Sequence, residues 1–482
     1  MLAPAIARPA RLLAPPQRFA LLWAALAVGL GLLAAGLPLS LSVPLLAGAL
    51  AVGFSLWEPV AGLALAMLLG PARAYLASSF PALPSDAGQV FFALALAGWL
   101  ARGLARRHLP LPTERLLVPL GLYLGAGLLS LTAAVSLEEG LKELIKWAEV
   151  GAVTIILASE ARRGRGRAIV AAVLLAGLAQ AALGVWQYQF RGDGPEHFRL
   201  ASGQYRAYGT FEQPNPFGGF LGLLWPVAAG LAVGWLAEAW RLRSARHLAA
   251  ALPFGFAAAL LGLGLVVSFS RGAWLGAAAA GLALAVRLPR RLWMGLGLVA
   301  VAGVAGLLLL RAGLVPASIA ARLGDLSEFT TVADVRGANI NDANFAIIER
   351  LAHWQAADAM AREHLWIGVG LGNYGPVYAR YALLNWPNAL GHAHMIYLNV
   401  LAETGVVGLL AYLLFWVSVI AATLRAIARR TGPARGLALG LLGAWTHLSV
   451  HHLVDNLYAN NIHFTLAALL ALLVWLNSKG SS

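Results

Sequence analysis

The sequence predicts an all-α, polytopic transmembrane helical bundle, and three observations lead there. Of 482 residues, 60% are hydrophobic and 12% charged, with a mean hydropathy of +0.73. A soluble core cannot hide that much apolar surface. Apolar windows of about 18–20 residues, the length that spans a bilayer, recur along the chain. Short arginine clusters separate those windows, as orienting loop charges do. A single soluble domain is therefore excluded. The net charge of +14 is dispersed over these clusters, so no nucleic-acid partner is indicated. The chain has no cysteine, which removes disulfide and thiolate chemistry. Its 53 glycines suit close helix packing in a membrane.

The elements follow in order. Arg8, Arg11 and Arg18 precede an apolar run from Phe19. That run is long and further spans follow, so it reads as an uncleaved first helix. Spans are expected near 19–36, 41–56, 58–71, 88–104, 115–135, 143–159, 168–190, 215–239, 248–267, 273–287, 292–311, 395–424, 436–453 and 461–477. The second and third are short and can form one re-entrant hairpin, which puts the total at about 12–14. After the first cluster, arginines recur at Arg102/Arg106/Arg107/Arg115, Arg162/Arg163/Arg165/Arg167, Arg241/Arg243/Arg246, Arg287/Arg290/Arg291 and Arg425/Arg429/Arg430/Arg435. An even number of spans separates successive clusters, so all lie on one side. The positive-inside rule makes that side cytoplasmic, with both termini inside.

The opposite side receives 136–142, 191–214, the short turn 268–271, the residues around 451–461 and one long loop, 312–394. This divides the chain into N-terminal helices (1–311), an external segment (312–394) and C-terminal helices (395–482). A connection that long is usually functional or disordered. Ile347, Leu351, Trp354 and Ala357 recur at helical spacing within 346–364, which predicts a lid helix on the membrane surface.

Several cations fall on the external side, against the general trend. They are Arg206, Arg271 in the turn Ser268-Phe269-Ser270-Arg271-Gly272, Arg350 on the expected lid helix, and Lys142 and Lys146. The two lysines are four apart on one helix face, suited to ligand contact or to interfacial anchoring. The chain's only other lysine is Lys479. Guanidinium forks match the oxygens of a phosphate or diphosphate. The string Gly391-His392-Ala393-His394 stands where the long loop meets a membrane-length apolar run. Titratable residues at such a boundary are functional candidates. His394 begins a helix near arginines, which disfavours its protonated form and suits a general base. His392 is read as a supporting residue. His447, His451 and Asp455 recur at intervals of four. That spacing can hold a metal, but no dense ligand set accompanies it, and Asp455 can equally orient a histidine or pair with an arginine. No metal and no cofactor are assigned. Gly368-Val369-Gly370-Leu371-Gly372 lacks a strand–helix setting and reads as a turn. Gly405 and Gly408 read as a close helix-packing pair.

Together these strings look familiar. Gly209-Thr210-Phe211-x3-Asn215, Ser270-Arg271-Gly272, Arg350-x3-Trp354, the His-Ala-His string and Glu403-Thr404-Gly405-Val406-Val407-Gly408 resemble the O-antigen ligase and polymerase superfamily of bacterial membrane glycosyltransferases. The resemblance covers roughly 199–461. His394 stands at the family's distance from Gly405 and Gly408, and Met395 occupies a position that is polar in the family pattern. The resemblance implies inverting, metal-independent transfer of a glycan from an undecaprenyl diphosphate carrier, at the external face of the bacterial inner membrane. It implies His394 as base and Arg271 on the leaving group. Arg206, Arg350, His392, Lys142, Lys146, Asn215 and Asp455 are then expected to contact substrate. The partners would be the carrier-linked glycan, an acceptor glycolipid or glycan, and the bilayer. Ligase, polymerase and protein O-oligosaccharyltransferase differ in acceptor alone and stay open. From another class, a lipid or solute transporter would show internal repeats and mid-membrane charges, which the sequence lacks.

Overall fold

The protein is described by a computed structural model, which covers residues 29, 38–81, 86–109, 111, 116–200, 202–314, 334–341 and 344–478. The expected first span, Arg8, Arg11, Arg18, Arg115 and Lys479 lie outside the described residues. Within them the chain is helical, with one isolated bridge between Arg199 and Tyr205 and no strand.

Each expected span from 41–56 onward coincides with a helix. These are α1 (Leu39–Trp57), α2 (Pro59–Leu69), α4 (Ala87–Ala105), α5 (Leu117–Ser130), α6 (Leu137–Glu160) and α7 (Gly166–Gln189). They continue with α8 (Pro214–Leu242), α9 (Ala245–Val267), α10 (Arg271–Arg287), α11 (Leu292–Arg311), α14 (Ile396–Arg429), α15 (Gly432–His451) and α16 (Ile462–Ser478). A short α3 (Arg73–Ser79) extends α2. Among the described residues, eight helical stretches are long and apolar enough to cross a membrane. One of them, Leu137–Gln189, is 53 residues long. A straight helix of that length would reach about 80 Å, far beyond a bilayer core. It is broken into α6 and α7 at Gly164, whose φ of 95° only glycine adopts readily.

Among the described residues, several arginine clusters are tied to the same end of the bundle. Arg165 pairs with Glu58 in the one-residue link between α1 and α2 (2.9 Å). Arg435 donates to the carbonyls of Arg287 (2.8 Å) and Leu288 (2.9 Å), and Arg430 to that of Leu476. The helix α15 packs on α8 through glycines. A Cβ on Gly230 or Gly234 would collide with the backbone of 432–440. At its other end α15 places the His447 ring against Gly222 of α8 and Gly276 of α10. This three-helix contact sets α10 beside the end of α15.

The opposite end is built from irregular segments tied to one another. Ala207 N–H donates to Val267 (2.9 Å), and Ile396 N–H to His452 (3.0 Å). The Asn373 side chain clasps Ser136 in both directions (2.7 and 3.0 Å). The long segment carries the expected helix, α12 (Phe345–Glu363), followed by a single turn, α13 (Tyr374–Val377). Its buried stripe runs through Ile348, Ala352, Ala356 and Met360 and rests on α14. Of the four residues whose spacing predicted the helix, Ile347 and Ala357 are buried, and Leu351 and Trp354 are half-buried.

Gly405 and Gly408 do not form the helix-packing pair that was expected. Gly405 breaks α14 with a φ of 62°. A Cβ there would run into the backbone of Trp366. The break frees backbone groups that pair with the returning segment. Val406 N–H donates to Leu365 (2.8 Å), while Val369 and Gly370 donate to Ala402 and Glu403 (both 2.9 Å). Gly368, Gly370 and Gly372 all have positive φ, so the glycine-rich string is indeed a turn.

Candidate active site

The arginine-poor end holds a cavity of about 170 Å³. Arg206, Asn215, Arg271, Arg350 and Asp455 all line it, together with His451. These residues span 250 positions of sequence and come from five different segments, so their convergence is a property of the fold.

Each is positioned by local chemistry. Arg271 opens α10, behind Ser270, whose hydroxyl caps the helix by accepting from Ala273 N–H (3.4 Å). Gly272 lets this helix start against the His451 ring and Val454, where a Cβ would be crowded. Arg206 donates to the Ser268 carbonyl (3.0 Å) and to Asn215 (3.3 Å), and lies 6.0 Å from the Phe198 ring. Arg350 reaches from α12 to the Val454 carbonyl (3.2 Å) and back to Ala346 (2.7 Å). Arg350 therefore pins the α12 helix over the cavity. Three guanidinium groups and one carboxylate leave the wall cationic, which suits a diphosphate.

His394 lies next to the cavity wall, in contact with Asp455 rather than lining the cavity itself. It precedes α14, with φ of 52°. Its Nδ1 lies 3.8 Å from Asp455 Oδ1, the side chains being 15% and 10% exposed. That is beyond hydrogen-bonding distance but within reach of an ion pair. Both ring nitrogens are buried without a hydrogen-bond partner. With Nδ1–H turned toward the carboxylate, Nε2 keeps its lone pair; this tautomer is assigned from the geometry. Burial pushes the Asp455 carboxyl up, but the His394 contact, His451, His392 and Arg350 together hold it below the ordinary carboxylate range.

His392 Nδ1 accepts the His394 backbone N–H (3.0 Å). Burial, followed by the neighbouring His394, lowers His392 to about 4. It is therefore neutral near pH 7, with its ring proton on Nε2. Ligand atoms of His392, His394 and Asp455 lie within 4.8 Å of one another. His392 nevertheless has no free lone pair there, because one nitrogen is engaged and the other protonated. His447, the other histidine at metal-like spacing, is buried among α8, α10 and α15 and does not line this cavity. The Asn399 side chain, one turn into α14, accepts from Ala393 N–H (2.9 Å) and holds the string. Met395 at the N-cap makes no such side-chain bond.

Lys142 and Lys146 do not reach this cavity. Lys142 pairs with Glu138 and Glu139 (both 2.7 Å) and is exposed. Lys146 pairs with Glu143 (2.5 Å) and donates to the Tyr458 carbonyl (3.1 Å). His353 was not anticipated. It stacks on Tyr378 (4.8 Å), bonds the Tyr374 hydroxyl (2.8 Å) and lies 5.5 Å from the His394 ring. Burial, then His394, lowers it to about 4. The available signal was a histidine on the buried stripe of an otherwise apolar helix face.

Fold and site define a class: a multi-pass helical membrane protein with a cation-lined cavity and a histidine–carboxylate contact at one end. Residues 256–413 match the family model described as O-antigen ligase, and this supports the O-antigen ligase superfamily for the chain. The matched segment contains Arg271, Arg350, His392 and His394. It supports a membrane glycosyltransferase of the ligase or polymerase type, acting on lipid-linked glycans. No curated protein was found to match the chain.

Proposed function

We propose that the protein transfers a glycan from an undecaprenyl diphosphate carrier to an acceptor hydroxyl at the external face of a bacterial inner membrane, in the manner of a ligase. The observation that carries this reading is the convergence of Arg206, Arg271 and Arg350 on one cavity whose wall includes Asp455, itself 3.8 Å from His394. The arginine-rich end faces the cytoplasm by the positive-inside rule, which puts the cavity outside.

In this mechanism His394 Nε2 takes the proton of the acceptor hydroxyl, and the oxygen attacks the anomeric carbon. The bond from that carbon to the carrier diphosphate breaks, and its electron pair stays on the diphosphate oxygen. The three arginines are aimed at the charge that grows there, in a site that needs no reorganisation as it forms. Asp455 acts through His394: it holds the ring in the productive tautomer and stabilises the imidazolium as it appears. The α12 helix, pinned by Arg350, roofs the cavity as a lid.

The test is transfer in proteoliposomes with purified carrier-linked glycan. His394→Ala abolishes transfer but retains carrier binding, whereas Arg271→Ala weakens carrier binding. Full transfer by His394→Ala would remove the base. A product ladder lengthening on the carrier, in place of en bloc transfer, would assign the polymerase reaction instead.

A further inference from the structure

A second cavity, of about 150 Å³, lies at the same end of the molecule, and it takes in the part of the sequence the first cavity leaves unused. Its wall includes Glu139, Lys142, Glu143, Asn399, Glu403 and Asn456. The two cavities share one short segment: Val454 and Asp455 face the first cavity while Asn456 and Tyr458 face the second. Gly391 and Ile396 border the second cavity on either side of the His-Ala-His string. The string meets the shared segment at the His394–Asp455 contact.

The walls differ in chemistry. The first cavity sets three guanidinium groups against one carboxylate. The second carries three carboxyl and two amide side chains, with Glu139 paired to Lys142 and Glu143 to Lys146. It offers a diphosphate no guanidinium group. It suits a neutral polyhydroxyl compound, because carboxylates and amides accept from and donate to adjacent hydroxyls. Its floor is aromatic: Tyr123 and Tyr458 pack edge-on to Trp147, with ring centroids 4.8 and 4.9 Å away. Such rings give the C–H face of a sugar an apolar bed. Asn399 and Glu403 are each 6% exposed, so the polar wall is built rather than incidental.

We infer that this second cavity binds the acceptor saccharide, with Glu143, Asn399 and Asn456 on its hydroxyls. The inference rests on the transfer reaction proposed above. It places donor diphosphate and acceptor in neighbouring cavities, so the acceptor hydroxyl can reach the anomeric carbon from a side other than the one the diphosphate leaves by.

The experiment has two arms. In the first, transfer is measured in proteoliposomes at varied acceptor and carrier concentrations. Glu143→Gln raises the acceptor KM at least fivefold and leaves the carrier KM within twofold. Glu139→Gln, a half-exposed position with little consequence for folding, shifts it in the same direction. In the second arm, saturation-transfer NMR uses the protein in nanodiscs. The probe is the oligosaccharide released by mild acid from the source organism's envelope glycolipid. Signal is present in wild type, persists in Arg271→Ala and falls in both glutamate variants. An unchanged NMR signal and acceptor KM in both glutamate variants overturn the assignment, as does loss of the signal in Arg271→Ala. Saccharide binding that depends on Glu143 without any glycan transfer refutes the proposed reaction and leaves the saccharide site standing.

Discussion

Replacing Asp455 by asparagine separates orientation of the base from contact with substrate. The exchange preserves shape and removes one charge. At 3.8 Å from His394 Nδ1, a carboxylate and an imidazolium interact by about 4 kcal/mol at an effective dielectric of about 20. Both side chains are largely buried, so little of that is lost to solvent. In the proposed mechanism the imidazolium forms as the acceptor proton moves, so the interaction strengthens in the transition state. Its loss corresponds to a factor on the order of 10³ in rate. The carrier should bind at least as well, because Arg350 and its neighbours lose an anion that competes with the diphosphate. Steady-state transfer in proteoliposomes at varied carrier concentration reads both quantities. We expect kcat to fall by roughly 10²–10³ with an equal or lower carrier KM. A kcat within threefold of wild type would refute the dyad. A tenfold rise in carrier KM would instead make Asp455 a substrate ligand.

Three further outcomes follow from other parts of the structure. Arg271→Ala should raise the carrier KM at least tenfold, and Arg271→Lys should recover only part of it, because an ammonium lacks the planar fork; equal KM values in wild type and both variants would remove the diphosphate role. Gly405→Ala places a Cβ against the Trp366 backbone at a φ of 62°. It should cost about 2–4 kcal/mol, seen as a lowered Tm in detergent. His353 is 1% exposed and held at about 4, against about 6.5 when unfolded. The unfolded chain then binds the extra proton between those values, so stability is complete above about pH 6.5 and declines as pH falls toward 4. The group accounts for roughly 3 kcal/mol, and thermal melts from pH 7 to 4.5 should show a slope that His353→Gln flattens.

The arginines were legible in the sequence because each breaks a rule that a single chain displays. Arg271 is a charge in a turn too short to leave the membrane surface, and Arg206 and Arg350 stand on the side where cations are scarce. Their shared cavity could not be read, since 206, 271, 350 and 455 are brought together only by tertiary contacts such as Arg206 to Ser268 and Arg350 to Val454. Asp455 carried three readings in sequence, as metal ligand, arginine partner or histidine orienter. Its 3.8 Å approach to His394 favours the last. Lys142 and Lys146 obeyed the same cation argument as Arg271 and were drawn elsewhere. Glutamates one turn away pair with them, and of the two only Lys142 lines a cavity, the second one. Gly405 matched a helix-packing pattern, yet its positive φ answers to a loop some forty residues earlier.

Sequence alone was enough for the class of molecule and the helix positions among the described residues. Those follow from hydropathy and loop charge, which act locally and accumulate along one chain. The tertiary structure decided which external charges meet, which are spent on neighbouring carboxylates, and that one end holds two cavities of different character. These outcomes depend on how close two backbones approach, and that distance is set by glycines and buried rings whose partners are far away in sequence.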